Sequence, residues 1–202
     1  PGKFGFVALH NLLAAGYSGN VFATNRSGEE VLGIQTISDV AELPDGAADL
    51  MFVCTPASAN LQLLEDAAQR GVKAAFLTSA GYGEAGEEGR MAEAELVATA
   101  DRLGILLAGP NGQGVVSTPA SLCAQIVAPY PPTGGIGVAS QSGNFVSSFL
   151  NLSRSTGVGV SRAVSAGNAA AVSVADYLDF YSRDDKTAVS LAYIEGITDG
   201  RG

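Results

Sequence analysis

Tryptophan is absent from the sequence, histidine occurs once, as His10, and cysteine twice, as Cys54 and Cys123. Two cysteines without a C-x-x-C spacing supply neither a disulfide framework nor a zinc site, and a lone histidine excludes a histidine-based metal cluster within the chain. A Ser-His-Asp triad would have to use His10, which sits mid-helix among Leu9, Leu12 and Leu13 with nothing to place it near a nucleophile. Cys54, in an apolar strand, reads as packing rather than as a nucleophile. Charge is scarce as well: 15% of residues are charged, against about 25% in ordinary soluble domains. The 11 basic residues are scattered and the net charge is −9, which argues against sequence-independent nucleic-acid binding, a process that needs clustered Lys and Arg. No apolar run reaches the roughly 18 residues of a membrane span. The start, PGKFGFVALHNLL, lacks the order of regions found in a signal peptide, so a cytoplasmic location is expected.

What is present describes an ordered chain. Apolar residues make up 47% of the 202 positions, enough to bury a core, and glycine is abundant at 26. No Asp, Glu, Lys or Arg occurs from Leu103 to Ser153. Gly, Pro, Ser, Asn and Gln interrupt that stretch every few positions, so it reads as a buried central region, a protected site, a partner surface, or a combination of these.

The order of apolar runs and breakers gives the architecture. A helix is expected over Phe4 to Ala15, stopped by Gly16, then a strand over Asn20 to Thr24. Strand Asp49 to Thr55, helix Ser58 to Arg70, strand Val72 to Ser79, helix Glu87 to Leu103 and strand Ile105 to Ala108 follow. Prolines 119, 129, 131 and 132 interrupt the stretch from Ser117 to Gly134, which is expected to be a linker. Alternation then resumes: strand Gly135 to Ala139, helix Ser142 to Ser155, strand Val160 to Val164, helix Val172 to Tyr181 and strand Thr187 to Ile194. Strands and helices alternating at this spacing predict an α/β fold of two units with mainly parallel sheets. The units are expected over 1–118 and 134–202, joined by a linker over 119–133, and the pattern looks truncated at both ends.

Several turns carry the residues that bind anions. Pro1-Gly2-Lys3-Phe4-Gly5 opens a helix, where glycines admit a phosphate to the backbone and the helix supplies free N–H groups. The next strand ends Thr24-Asn25-Arg26, without the acid that holds an NAD ribose, which suits a ribose phosphate as in NADP or coenzyme A. Ser140-Gln141-Ser142-Gly143-Asn144 follows a strand and opens a helix, a run of consecutive N–H groups that can hold phosphate without a cation. Gly109-Pro110-Asn111-Gly112 ends another strand, with Asn111 able to donate and accept toward a ligand. Glu195 ends the last strand, where α/β proteins form ligand sites.

Taken in order, PGKFG, Val53-Cys54-Thr55-Pro56-Ala57, Thr78-Ser79-Ala80-Gly81-Tyr82-Gly83, GPNG, SQSGN, SAGN and YIEGITDGR resemble the NDP-forming acyl-CoA synthetases, the family of ADP-forming acetyl-CoA synthetase and the succinyl-CoA synthetase α subunit. The resemblance runs essentially the whole chain. It implies a Rossmann-type CoA-binding domain followed by a flavodoxin-like ligase domain. It implies that Gly2, Lys3, Phe4 and Gly5 hold CoA phosphates, with Asn25 and Arg26 near the adenosine end. Thr55, Pro56 and Ala57, and Ser79, Ala80 and Gly81, would line the CoA cleft. Ser140, Gln141, Ser142 and Gly143 would face the transferred phosphoryl group, and Glu195 would steady a phosphorylated histidine. Asn111 would serve on the acyl side, where Gly112 stands in place of the cysteine common after GPN.

The family reaction joins a carboxylic acid to CoA while cleaving ATP, through an acyl phosphate and a phosphohistidine. The resemblance thus implies CoA and a small carboxylic acid as ligands, ATP or ADP with Mg on an ATP-grasp partner domain or subunit, and an oligomer. The phosphorylated histidine would fall beyond Gly202, so the stretch alone is expected to be inactive. Two other readings fit some residues: a non-catalytic CoA-binding regulatory module, and an NADP-dependent oxidoreductase suggested by Arg26.

Overall fold

The computed structural model describes residues 3–127 and 129–197. Thirteen regular elements place the turns named above. Helix α1 is Phe4–Ala14, and strand β1 is Leu50–Val53, followed by a 3-10 turn over Ala57–Ala59 and helix α2, Asn60–Gln69. Strand β2, Ala74–Leu77, helix α3, Glu87–Leu103, and strand β3, Leu106–Ala108, complete a three-stranded parallel sheet in the order β1-β2-β3. The strands are short and apolar with their ends at Pro, Gly or Ser, and α3 stops where Gly104 takes the left-handed conformation.

Strands β4 (Gly114–Ser117), β5 (Leu122–Gln125), β6 (Thr133–Ser140), β7 (Val160–Ser165) and β8 (Val189–Tyr193) form a second sheet in the order β5-β4-β7-β6-β8. Helix α4, Gly143–Thr156, and helix α5, Val174–Arg183, are the crossovers between its parallel strands. Ser142 caps α4 by accepting from the Phe145 N–H, and Ser173 with Asp176 forms a capping box on α5.

Two features depart from the sequence expectation. Asn20 to Thr24 forms no strand: it meets neighbouring chain at a single bridge, Thr24 with Ile37, flanked by the bonds Ile37 N–H to Ala23 C=O at 3.0 Å and Asn25 N–H to Ile37 C=O at 2.9 Å. Three apolar residues bounded by Gly and Asn give too short a run for a ladder. Conversely, residues 114–125, which span the end of the expected first unit and the start of the expected linker, form the hairpin β4-β5 and pair antiparallel into the second sheet through β7. Pro119 does not interrupt it, because it sits in the 3-10 turn Thr118–Ala120 where a missing N–H is harmless.

One core cluster lies between β1–β3 and helices α2 and α3, around Val53, Leu64, Leu77, Leu96 and Leu107, and a second between the β4–β8 sheet and α4, around Val116, Val138, Val146, Leu150 and Val160. A third joins them. Phe76 of β2, stacked on Phe52 at 5.4 Å, packs with Ala139, Val164, Val174 and Tyr181 of the second unit. Helix α1 also crosses over, its Asn11 amide donating to the Gln125 carbonyl at 2.8 Å. The charge-free stretch therefore holds β3 to β6 and the start of α4, a region mostly removed from solvent.

Candidate functional site

The turns expected to bind anions gather at the carboxyl ends of the parallel strands. At the first, Lys3 is the exposed N-cap of α1 and Phe4 and Gly5 form its opening turn. That turn contains no acidic residue, so the N–H groups and the positive end of the helix dipole face outward uncompensated. A Cβ added to Gly5 would stand 3.8 Å from the Cys54 Cβ, which places the helix start against the end of β1. Gly2 lies outside the described residues.

Beside it, the ends of β1 and β2 are cross-tied by a side chain that sequence reasoning missed. Buried Asn60 accepts from Thr55 Oγ1 at 2.8 Å through its Oδ1 and donates through Nδ2 to Ser79 Oγ at 3.0 Å and Tyr82 Oη at 2.8 Å. Ser79 Oγ in turn donates to the Thr55 carbonyl at 2.6 Å. With both ends satisfied in a buried setting, this network fixes the loops carrying Pro56-Ala57 and Ala80-Gly81. A helix-opening Asn after T-P-A-S-A was the available signal. Pro56 and Ala80 are exposed, Ala57 is partly buried and Ser79 is buried. Asn25 and Arg26 are held by a different set of bonds: Asn25 binds Ile37 and closes a turn to Gly28, and Arg26 is exposed on it.

The GPNG and SAGN turns interlock. The Gly109–Pro110 peptide is cis, Asn111 takes φ 59°, and Asn111 N–H donates to the Ser79 carbonyl at 3.0 Å. Asn168 N–H donates to the Pro110 carbonyl at 2.9 Å and Ala170 N–H to Gly109 at 3.0 Å. Gly167, at φ 59°, leaves no room for a side chain: a Cβ would come within 2.2 Å of the Pro110 carbonyl oxygen. The exposed Asn111 side chain donates to Asn168 Oδ1 at 3.2 Å.

Gln113, also missed, links this pair to the SQSGN turn. Its N–H donates to Ser165 Oγ at 3.0 Å, its Oε1 accepts from Ser147 Oγ at 2.8 Å, and its side chain fills the space beside Gly143. Within SQSGN, Ser140 is fully buried and spends its hydroxyl locally, accepting from Ser142 N–H at 3.0 Å and donating to the Ser142 carbonyl at 2.9 Å. Gln141 reaches across to β8, where its Oε1 accepts from the N–H groups of Glu195 at 2.6 Å and Gly196 at 3.0 Å while its Nε2 donates to the Gly196 carbonyl at 3.0 Å. Glu195 is thus carried on a backbone clamped to the start of α4, with its side chain exposed. Of the sequence-predicted residues, those on α1, β1 and β2 converge on one edge and those of GPNG, SQSGN and Glu195 on a linked one.

Burial pushes the Cys123 thiol up to about 11. It pushes Cys54 up as well, partly offset by a hydrogen bond with Thr78. Neither is an activated nucleophile. His10 is exposed on α1.

A helix N-terminus and backbone-lined turns at the ends of parallel strands, in two joined α/β units, define an α/β protein of the class that places ligand sites at the carboxyl ends of its strands. A family described as a CoA binding domain matches residues 1–118, and one described as a succinyl-CoA ligase-like flavodoxin domain matches 133–202. The chain belongs to the NDP-forming acyl-CoA synthetase family. Among its relatives, acetate–CoA ligase [ADP-forming] I of Archaeoglobus fulgidus is 38% identical, across 99% of this chain and 29% of that protein. The acetate–CoA ligase [ADP-forming] I α subunit of Pyrococcus furiosus is 37% identical, across 100% of this chain and 44% of the relative. The acetyl-coenzyme A synthetase 1 of Ca. Korarchaeum cryptofilum, solved in complex with phosphate and ADP, superposes with a TM-score of 0.93 at 33% identity, over 100% of this chain and 43% of that one. The chain therefore spans less than half the length of these relatives. Among the described residues no helix is long and apolar enough to cross a membrane.

Proposed function

We propose that the chain is the CoA-binding part, with a portion of the phosphoryl-relay part, of a ligase that converts a carboxylic acid, CoA and ATP to acyl-CoA, ADP and phosphate. An acyl phosphate and a phosphohistidine would carry the group between the two ends. Residues 1–118 would form the CoA-binding unit and 134–202 the ligase unit, with 119–133 between them, except that the β4-β5 hairpin adds its strands to the sheet of the ligase unit. The observation that most supports this reading is the start of α1, capped by Lys3 and free of acidic residues, set against the end of β1.

CoA fits that place because its phosphates need fixed donors and its pantetheine arm needs a shallow apolar wall. Gly2, Lys3, Phe4 and Gly5 would take the phosphates, Asn25 and Arg26 the adenosine end, and Thr55, Pro56, Ala57, Ser79, Ala80 and Gly81 the wall. When bound, CoA supplies the thiol that accepts the acyl group. Asn111 would orient the acid. The Gly143 N–H at the start of α4 would steady the migrating phosphoryl group, which stays anionic throughout, and Ser142, whose own N–H is held by Ser140 Oγ, would cap the helix behind it. Ser140 and Gln141 would shape that turn from behind, Gln141 by holding the backbone of Glu195, the residue set to steady the phosphohistidine. ATP or ADP with Mg would sit on an ATP-grasp partner, and the enzyme would be a cytoplasmic oligomer. The ligase relatives favour this over the regulatory and oxidoreductase readings.

The test is a coupled assay of ADP release by the ligase carrying this chain, together with its ATP-grasp partner. ADP should form in proportion to acyl-CoA and require both acid and CoA. ADP formation independent of CoA would refute the reading.

A further inference from the structure

Asn168 sits between the two units with its amide fully committed. Its Nδ2 lies 2.6 Å from Glu84 Oε2 and 2.6 Å from Glu93 Oε2, one N–H for each carboxylate. Its Oδ1 accepts from Asn111 Nδ2 at 3.2 Å. The two glutamates are themselves anchored by the TSAGYG loop: Glu84 Oε1 accepts from Gly81 N–H at 2.5 Å and Tyr82 N–H at 3.3 Å, and Glu93 Oε2 from Gly83 N–H at 3.2 Å. The carboxylates can only accept, so they dictate which way the Asn168 amide faces. That in turn leaves an oxygen toward Asn111 and commits Asn111 to turn its Nδ2 inward.

We infer that Asn168 is a positioning residue for the ligase reaction: through the Glu84–Asn168–Asn111 relay, the loop at the end of β2 fixes the amide of Asn111 at the acyl-side turn. The kinetic part of this inference rests on the function proposed above; the relay itself does not.

Paired substitutions can reverse the relay. In Glu84→Gln, the Gly81 and Tyr82 N–H groups still require an oxygen at the Oε1 position, so the substituted amide must present its Nε2 to the Nδ2 of Asn168, donor against donor. In Asn168→Asp, an acceptor faces two carboxylates. The double variant restores the donor–acceptor pair between positions 84 and 168 with the wild-type number of charges in the cluster, while the new carboxylate at position 168 still faces that of Glu93, so its rescue is partial.

Two readouts on the ligase carrying this chain test it. Backbone hydrogen–deuterium exchange at 109–112 and 166–170 should speed up by about tenfold in each single variant and return toward wild type in the double, as expected for directly coupled residues. The KM for the acid should rise by about tenfold in each single variant while the KM for CoA moves less than about twofold, with partial recovery in the double. Exchange that is additive across the three variants overturns the relay. Coupled exchange with an unchanged acid KM, or equal losses for acid and CoA, overturns the positioning role. Absence of any CoA-dependent turnover in the wild type refutes the ligase reading and with it the kinetic role, while the exchange result still decides the relay.

Discussion

At Glu84 opposing effects meet on one carboxyl. Burial pushes its pKa up, but hydrogen bonds from Asn168 and from the Gly81 and Tyr82 backbone outweigh that and hold it below the ordinary glutamate value. A group whose folded pKa is depressed contributes stability that is complete above its unfolded pKa and is lost as pH falls through the folded one. The link between the TSAGYG and SAGN turns should therefore persist at neutral pH and weaken progressively below about pH 4, the ordinary range of a glutamate. Chemical-shift titration of the Asn168 side-chain amide checks this, and a link that weakens on going alkaline would reverse the sign. The two thiols behave differently. Raised by burial, both Cys54 and Cys123 should resist iodoacetamide at pH 7 and label only on unfolding, a result read by mass spectrometry. Lys3, Asn111 and Glu195 could be picked out from type and position alone. Gln113, Glu84 and Glu93 could not, because each is tied to a partner 52 or more residues away across the sheet junction.

Among the elements, the helices were the most legible. Helix α3 occupies the expected 87–103, since an amphipathic run closed by a glycine carries both its period and its stop locally. The hairpin β4-β5 escaped because its strands of four residues lie among prolines and its pairing partner β7 begins 35 residues after β5 ends. The same interlocking makes Gly167 a sensitive point. Gly167→Ala would drive a Cβ into the Pro110 carbonyl at a left-handed φ, so a loss of about 1–3 kcal/mol in urea unfolding is expected, with the GPNG turn displaced in a crystal structure. A neutral substitution would mean that the two turns are not pressed together.

For the whole molecule, Phe76 matters most, because its ring is buried where the two sheets meet. Phe76→Ala should cost about 3–5 kcal/mol and lower the stability of both units together, visible as one shifted urea transition rather than two. The low charge between Leu103 and Ser153 has the same origin: that stretch supplies β4, β5 and β6 of the second sheet and turns between the units, where a Lys or Asp would be stranded from water. Two α/β units in sequence order were legible from alternation. Their shared core was not, since nothing local announces that β2 will pack on α5. Whether the start of α1 receives the phosphates of CoA is read by isothermal titration of CoA into the ligase carrying this chain, beside its Lys3→Ala variant. Saturable binding weakened about tenfold in the variant is expected, the scale of one charge-assisted contact. Wild type that gives no binding heat with CoA, or that binds NADPH in its place, would contradict it.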